Sequence, residues 1–260
     1  MKSRDISHVI FDFDGTLSWL RHGWPEIMLN VFRPYFPKRP EETEAEIHDT
    51  LIDDILGLNG KPSIHQMTRF VERVRERGGI SPAAGELLIE YQMRLDRAIC
   101  DRSQKILRGA ASADEFVVHG ARAILETLGR RGMRLIILSG TVEHRVRQEA
   151  IWLGLGEFFG DRIYGSHPDR DDFSKQEVIR RIMREENIQG GHLLSFGDGP
   201  VEIANTKEAG GWAIGVASDE NTNGSGECDP HKKRQLLAAG ADEVIADYRE
   251  GEGLLARIFS

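Results

Sequence analysis

Short β-rich apolar runs and segments of helical spacing alternate from Gly120 towards the C-terminus. Residues 135–138 and 192–196 have the composition of buried strands, while residues 121–128 and 142–153 repeat apolar side chains at helical intervals. Alternation of this kind is typical of a parallel sheet with helices on both faces. The chain is therefore predicted to contain an α/β core built on a doubly wound parallel sheet.

The N-terminal part of the chain supplies one more strand and then interrupts the alternation. Residues 9–11 are an apolar run after a charged start, and they predict a buried strand that ends near Asp12. Residues 19–110 contain no convincing strand, and their apolar residues recur at helical spacing. A helical block inserted after the first strand of an α/β core is a cap. We therefore predict a core of residues 1–18 and 111–260 and a helical cap domain between them.

The composition of the 260-residue chain indicates which kinds of binding partner and cellular location are expected. The formal net charge of −8 repels nucleic-acid backbones, so we expect no nucleic-acid partner. The apolar run near the N-terminus is too short for a signal peptide, and no later stretch is long enough to cross a bilayer. Cys100 and Cys228 lie outside any Cys-x-x-Cys motif and are typical of unpaired thiols in a reducing compartment. We expect a cytoplasmic protein that is a monomer or a small homo-oligomer.

Two carboxylates, Asp12 and Asp14, directly follow the first predicted strand, and Gly15-Thr16 come next. Ligands of open α/β sheets bind beyond the carboxyl ends of the strands. Concentrated negative charge at such a place needs a cation or a proton to be tolerated. With Mg²⁺ bound, one carboxylate can attack phosphorus and the second can transfer protons. The alternative is a solvated Asp-Gly turn, which is common in proteins.

Two further segments place polar residues near the predicted strand ends. Ser139-Gly140-Thr141 follows the strand predicted to end at Leu138 and precedes a helix, where a hydroxyl and backbone N–H groups would form a phosphate cradle. Lys175 opens another predicted helix and would neutralise an attacking carboxylate and phosphoryl oxygens as a point charge. The alternatives are an ordinary helix N-cap and a solvated surface lysine.

The fourth segment, Gly197-Asp198-Gly199-Pro200-Val201-Glu202, follows the strand predicted to end at Phe196. Asp198 would ligate Mg²⁺ directly, and Glu202 would hold a metal-bound water. Mg²⁺ keeps several waters and binds few protein carboxylates, so the small number of carboxylate ligands in this segment is suited to it. The alternative is again an Asp-Gly turn, here before a proline-started helix.

In this order, the four segments resemble the motifs of the haloacid dehalogenase superfamily, which implies a Rossmann-like α/β core. The resemblance covers about residues 5–18 and 111–250, and the Asp-x-Asp-Gly-Thr form is its most specific part. The insertion point and helical content of the cap resemble the C1 caps of phosphoglycolate phosphatases and β-phosphoglucomutases. The matching positions are Asp12 with Asp14, Ser139, Lys175, and Asp198 with Glu202.

The resemblance implies a role for each matching residue. Asp12 is the nucleophile that forms an aspartyl-phosphate, and Asp14 protonates the leaving group and then activates water. Ser139 and Gly140 bind phosphoryl oxygens, and Lys175 steadies their charge. Dehalogenases of the superfamily lack the second aspartate and need no Mg²⁺, so the presence of Asp14 favours phosphoryl transfer.

A magnesium site is also implied by the resemblance. Its ligands would be Asp12, the backbone carbonyl of Asp14, and Asp198, with Glu202 acting through a water. The family often has aspartate at the position of Glu202, and the longer carboxylate of this chain can fill the same water-mediated role.

The predicted function is therefore Mg²⁺-dependent hydrolysis of a small phosphorylated metabolite, such as a sugar phosphate or a phosphoglycolate-like monoester. A phosphomutase, a phosphonatase and a non-catalytic binding protein on the same fold are alternatives. The cap loop, residues 57–63, resembles the specificity loop of C1-capped relatives. Lys61 in this loop is a candidate contact for the non-reacting end of the substrate or, as in phosphonatases, a Schiff-base lysine; the alternative is a solvated loop lysine.

Overall fold

The computed structural model describes residues 5–59, 61–167 and 173–260, which form two compact units. The first unit comprises the residues up to His22 and those from Arg102 onwards, and the second comprises Gly23–Asp101. Each unit buries apolar side chains of its own. The assignment of the second unit as a cap domain stays a prediction.

Within its described residues, the second unit is built of helices and contains no strand. The helices are α1 (Trp24–Phe32), α2 (Glu44–Leu56), α3 (Ile64–Glu76) and α4 (Ala84–Leu107), whose last residues belong to the first unit. Thr43 begins α2 with a reciprocal capping box to Glu46, which satisfies backbone N–H groups at the helix start. Phe32 of α1 stacks on Phe70 of α3 with ring centroids 4.0 Å apart, and both rings lie in the core of this unit.

The first unit is built on a sheet of parallel strands. The described strands are β1 (His8–Phe11), β2 (Arg134–Val142), β3 (Ile163–Ser166), β4 (Leu193–Gly197), β5 (Trp212–Val216) and β6 (Glu243–Ile245). Their order across the sheet is β3-β2-β1-β4-β5-β6, with every neighbouring pair parallel. The chain winds outwards in opposite directions from β1 and β4, so the topological switch point lies between these strands. This arrangement confirms the predicted fold class.

Helices cover both faces of the sheet. They are α5 (Ala121–Arg130), α6 (Glu143–Trp152), α7 (Gly156–Phe159), α8 (Lys175–Glu185), α9 (Pro200–Glu208), α10 (Pro230–Ala238) and α11 (Gly251–Phe259). Because successive strand residues point to opposite faces, Val9 and Phe11 pack in one core cluster with Ile124, whereas Ile10 packs in another with Ile179. The sequence pattern did not predict α11. No helix within the described residues has the length and apolar character needed to cross a membrane.

Candidate active site

Asp12 and Asp14 lie in the turn that follows β1. The backbone N–H of Asp12 donates to the carbonyl of Phe196 on β4 at 2.9 Å, which places Asp12 at the switch point between the two strands. Gly15 has a φ of 71°, a left-handed conformation that glycine adopts without strain. Asp12 is buried and Asp14 is partly exposed. The turn therefore presents both carboxylates at the carboxyl end of the sheet.

Lys175, the first residue of α8, joins the buried carboxylate of Asp12 to the largely buried carboxylate of Glu202. Its ammonium group donates to Asp12 Oδ1 at 2.9 Å and to Glu202 Oε1. Burial raises the pKa of the Asp12 carboxyl well above its ordinary value; Lys175 opposes this rise, and the charges of Glu202 and Asp198 add to it. Burial alone would lower the pKa of Lys175, but the two carboxylates outweigh it and raise that pKa above its ordinary value. Three residues predicted from the sequence thus meet in one buried cluster.

Asp198 follows β4 and is held by a lysine that the sequence analysis missed. Lys232, in the first turn of α10, is 1% exposed and places its ammonium nitrogen 3.1 Å from Asp198 Oδ2 and 2.5 Å from Glu220 Oε1. Burial raises the pKa of Asp198 to about 6; Lys232 opposes this rise, and Glu202 and Glu220 add to it. A cation in the first turn of a helix is disfavoured by the helix dipole, and this unfavourable position is the only signal in the sequence that could have singled out Lys232.

Asp14 is held at both carboxylate oxygens. Thr141 Oγ1 donates to Asp14 Oδ2 at 2.7 Å, and Arg21 Nε donates to Asp14 Oδ1 at 2.6 Å. Arg21 Nη2 also donates to Glu149 Oε1 at 2.7 Å, so a buried carboxylate orients the guanidinium group. The carboxyl group of Asp14 therefore has a defined orientation. Arg21 and Glu149 were not among the site residues predicted from the sequence.

The segment around Ser139 differs from the prediction. The strand β2 does not end at Leu138 but continues to Val142, with a register shift between these residues in its pairing with β3. Ser139 and Gly140 therefore belong to the strand and not to the N-terminus of a helix. Ser139 is buried, and its Oγ accepts from the backbone N–H two residues further on at 3.0 Å. A Cβ atom at Gly140 would lie 4.0 Å from Lys175 Cε, so this segment borders the lysine, and its role in phosphate binding stays a prediction.

The buried charges of the site do not balance. Lys175 and Lys232 each pair with two carboxylates, which leaves a net charge of −2 if all six groups are ionised. Glu202 Oε2 is buried and has no hydrogen-bond partner within the described residues. A divalent cation would supply the missing positive charge.

The donor set fits Mg²⁺ in number and type. Within the described parts of the chain, no three His, Cys, Asp or Glu side chains converge as ligands for a metal ion. Mg²⁺ does not require such a cage, because proteins hold it through one or two carboxylates and several waters. Asp12 and Asp198 can provide those carboxylates, and the magnesium ligands named from the sequence stay a prediction.

Lys61 belongs to the second unit. It is exposed, and its backbone N–H donates to the carbonyl of Leu58 at 3.1 Å in the connection between α2 and α3. Gly60, in the same predicted specificity loop, lies outside the described residues. A role of Lys61 in substrate contact stays a prediction.

A comparison with protein families matches residues 6–210 to the haloacid dehalogenase-like hydrolases. Since this match covers most of the chain, the protein belongs to the haloacid dehalogenase-like hydrolase family. It is an enzyme of the hydrolase class. The family and the enzyme class predicted from the motifs are thereby confirmed.

Individual relatives agree with this family. The chain is 26% identical over 212 residues to a phosphoglycolate phosphatase of Rhodospirillum rubrum, a match that covers 78% of this chain and 76% of the relative. A haloacid dehalogenase-like protein of unknown function from Agrobacterium tumefaciens superposes with a TM-score of 0.69 at 17% identity, covering 98% of this chain and 100% of the other. A Thermotoga maritima protein provisionally assigned as a β-phosphoglucomutase gives a TM-score of 0.61 at 18% identity, covering 97% and 100%. At these identities, the two structures show the fold alone.

Proposed function

We propose that the protein is a Mg²⁺-dependent phosphatase that hydrolyses a small phosphorylated metabolite through an aspartyl-phosphate on Asp12. The observation that carries this proposal is the pairing of the buried Asp12 with the largely buried ammonium group of Lys175 at the switch point of the sheet. A nucleophilic carboxylate beside a lysine is suited to a phosphate ester, because the lysine offsets the negative charge that the phosphoryl group brings. The name of the R. rubrum relative, phosphoglycolate phosphatase, supports a small phosphorylated acid as the substrate class.

In the first half-reaction, a carboxylate oxygen of Asp12 attacks phosphorus and forms a new P–O bond. The bond between phosphorus and the leaving oxygen breaks, and the leaving oxygen takes a proton from the carboxyl group of Asp14. Thr141 and Arg21 hold Asp14 in one orientation, so its proton can be aimed at one oxygen. Mg²⁺, held by Asp12 and Asp198 when bound, would neutralise charge on the transferring phosphoryl group.

In the second half-reaction, the carboxylate of Asp14 accepts a proton from a water molecule as that water attacks phosphorus. The P–O bond to Asp12 breaks, inorganic phosphate leaves, and both aspartates return to their starting states. Lys175 remains paired with Asp12 throughout and offsets the charge that returns to its carboxylate. Ser139 would donate a hydrogen bond from its hydroxyl group to a phosphoryl oxygen.

The test is phosphate release by purified Asp12→Asn protein with Mg²⁺, across phosphoglycolate, sugar phosphates, nucleotides and phosphonates. Asparagine preserves the shape of the side chain but removes the nucleophilic charge. We expect kcat to fall by at least roughly 1,000-fold on every substrate that the wild type hydrolyses.

The matched control is Asp161→Asn, which makes the same chemical change at an exposed site of the same unit and should leave phosphate release unchanged. Near-normal Mg²⁺-dependent hydrolysis by Asp12→Asn would exclude the proposed nucleophile. An isomerised sugar phosphate in place of free phosphate would identify a phosphomutase.

A further inference from the structure

We propose that Lys232 is a positioning residue for the magnesium ligand Asp198, because its ammonium group holds one carboxylate oxygen and leaves the other for the metal. This inference rests on the proposed function. It concerns a residue that is absent from the four motifs of the sequence analysis.

The contacts of Lys232 are complete for an ammonium group. Its nitrogen lies 3.1 Å from Asp198 Oδ2, 2.5 Å from Glu220 Oε1 and 3.3 Å from the hydroxyl oxygen of Ser218. An ammonium group has three N–H donors, so these three partners account for all of them. The side chains of Asp198 and Glu220 are only 15% and 12% exposed, so water has little access to these ion pairs.

Fold stability alone does not account for Lys232. Replacing a buried ion pair by apolar side chains of similar volume is often neutral or stabilising, because burial removes the hydration of both ions. Lys232 also lies in the first turn of α10, where the helix dipole disfavours a cation. A cation that stays buried despite both costs points to a requirement at one of its three partners, and Asp198 is the partner to which the proposed function assigns a metal.

The same cluster connects Asp198 to the nucleophile turn. The hydroxyl of Ser218 lies within hydrogen-bond distance of Lys232 and donates to the carbonyl of Gly15 at 2.7 Å. A Cβ atom on Gly15 would lie 2.2 Å from Asp198 Oδ2, so this oxygen is enclosed by the turn and by the ammonium group. Oδ1 is then the oxygen of Asp198 that can serve a metal.

Measuring Mg²⁺ affinity directly tests this role without reference to catalysis. Lys232→Met alone would leave two buried carboxylates unpaired, so the informative variant is the double substitution Lys232→Met/Glu220→Gln, which conserves net charge. Isothermal titration calorimetry of Mg²⁺ into the metal-free full-length protein gives Kd. We expect Kd to rise at least about tenfold, as is typical when a group that orients a metal ligand is removed.

The control is Lys38→Met/Glu44→Gln, which makes the same two chemical changes at an exposed ion pair of the second unit. Its Kd for Mg²⁺ should equal that of the wild type. An unchanged Kd in a folded Lys232→Met/Glu220→Gln protein, checked by circular dichroism, overturns the positioning role. Absence of Mg²⁺ binding by the wild type overturns it as well.

If the double variant does not fold, Ser218→Ala decides the question. It removes only the hydroxyl between Lys232 and Gly15, and we expect Kd for Mg²⁺ to rise by about threefold, the size of one modest hydrogen bond. An unchanged Kd in Ser218→Ala then overturns the proposal. Phosphate release is a separate measurement: a wild type that binds Mg²⁺ but hydrolyses none of the phosphate esters contradicts the proposed function and not the role of Lys232.

Discussion

Asp198 combines a buried carboxylate with a cation partner that it shares with a second carboxylate. Lys232 pairs with both Asp198 and Glu220, so neither acid has a full countercharge. Burial raises the pKa of Asp198 to about 6, and the shared lysine offsets this rise only in part. At the residue scale, the metal-free protein should therefore carry a destabilising charge that protons or a metal ion relieve.

The pH dependence of unfolding tests this charge. The pKa of Asp198 is about 6 in the folded protein and has its ordinary value of 3.8 in the unfolded chain. Between these pH values, Asp198 is therefore more often protonated in the folded state than in the unfolded state. The unfolding free energy of metal-free protein should therefore fall as pH rises from about 4 to about 6. Asp198→Asn should remove up to about 3 kcal/mol of this fall.

The measurement is urea denaturation in a chelating buffer at several pH values. Asp161→Asn, at an exposed aspartate of the same unit, should keep the wild-type pH dependence. Identical pH profiles for wild type and Asp198→Asn would show that the charge of Asp198 does not destabilise the folded protein.

At the scale of elements, the turn after β1 depends on the absence of a side chain at Gly15. Its φ of 71° disfavours any other residue, and a Cβ atom would lie 2.2 Å from Asp198 Oδ2 and 3.3 Å from Lys232 Nζ. The end of β1 and the segment after β4 can approach only because this position is glycine. Glycine is therefore required at position 15 both by the backbone conformation and by the packing around it.

Gly15→Ala should separate these two requirements when it is compared with Gly132→Ala. Gly132 has a φ of 73° in the turn before β2, but a Cβ atom there would meet nothing within 4 Å. Both variants should lose about 1–2 kcal/mol from the left-handed backbone. Only Gly15→Ala should also lose Mg²⁺-induced stabilisation, because Asp198 is displaced.

Thermal unfolding with and without saturating Mg²⁺ measures the difference. An equal Mg²⁺-induced rise in Tm for the two variants would contradict the packing argument at Gly15. Phosphate release should follow the same order, with Gly132→Ala close to the wild type.

At the scale of the whole molecule, each of the two units has a hydrophobic core of its own. In the helical unit, Phe32 and Phe70 stack at 4.0 Å and are 2% exposed. In the α/β unit, Phe11 and Phe196 stack at 4.9 Å across β1 and β4. Local stability can therefore differ between the units.

Phe70→Ala should destabilise the helical unit by about 3–5 kcal/mol, because it opens a cavity in that core. Hydrogen exchange followed by mass spectrometry should show lost protection in α2 and α3, with protection of β1 and β2 retained. The control Ile89→Ala truncates a side chain of the same unit that is 61% exposed, and it should change little. Equal loss of protection in β2 would mean that the two cores unfold as one.

Those parts of the fold and site that depend on short-range patterns were predictable from the sequence. Predominantly apolar runs identified β1 and β4, since strands covered on both faces lack a regular polar alternation. Their C-terminal ends located Asp12 and Asp198, and chain order then linked these to Lys175. The end of β2 was misplaced because Ser139 and Gly140 lack apolar character, although pairing with β3 extends the strand.

By itself, the sequence determined the α/β class, the helical insertion and the positions of the acidic turns, because strand and helix periodicity are properties of neighbouring residues. Only the tertiary structure decided what surrounds those acids. Thr141 reaches Asp14 from 127 positions away, and Lys232 lies 34 positions beyond Asp198. Such contacts follow from the order of strands across the sheet, which brings distant chain segments to one edge. The burial created there turns ordinary lysines and carboxylates into a site with unbalanced charge.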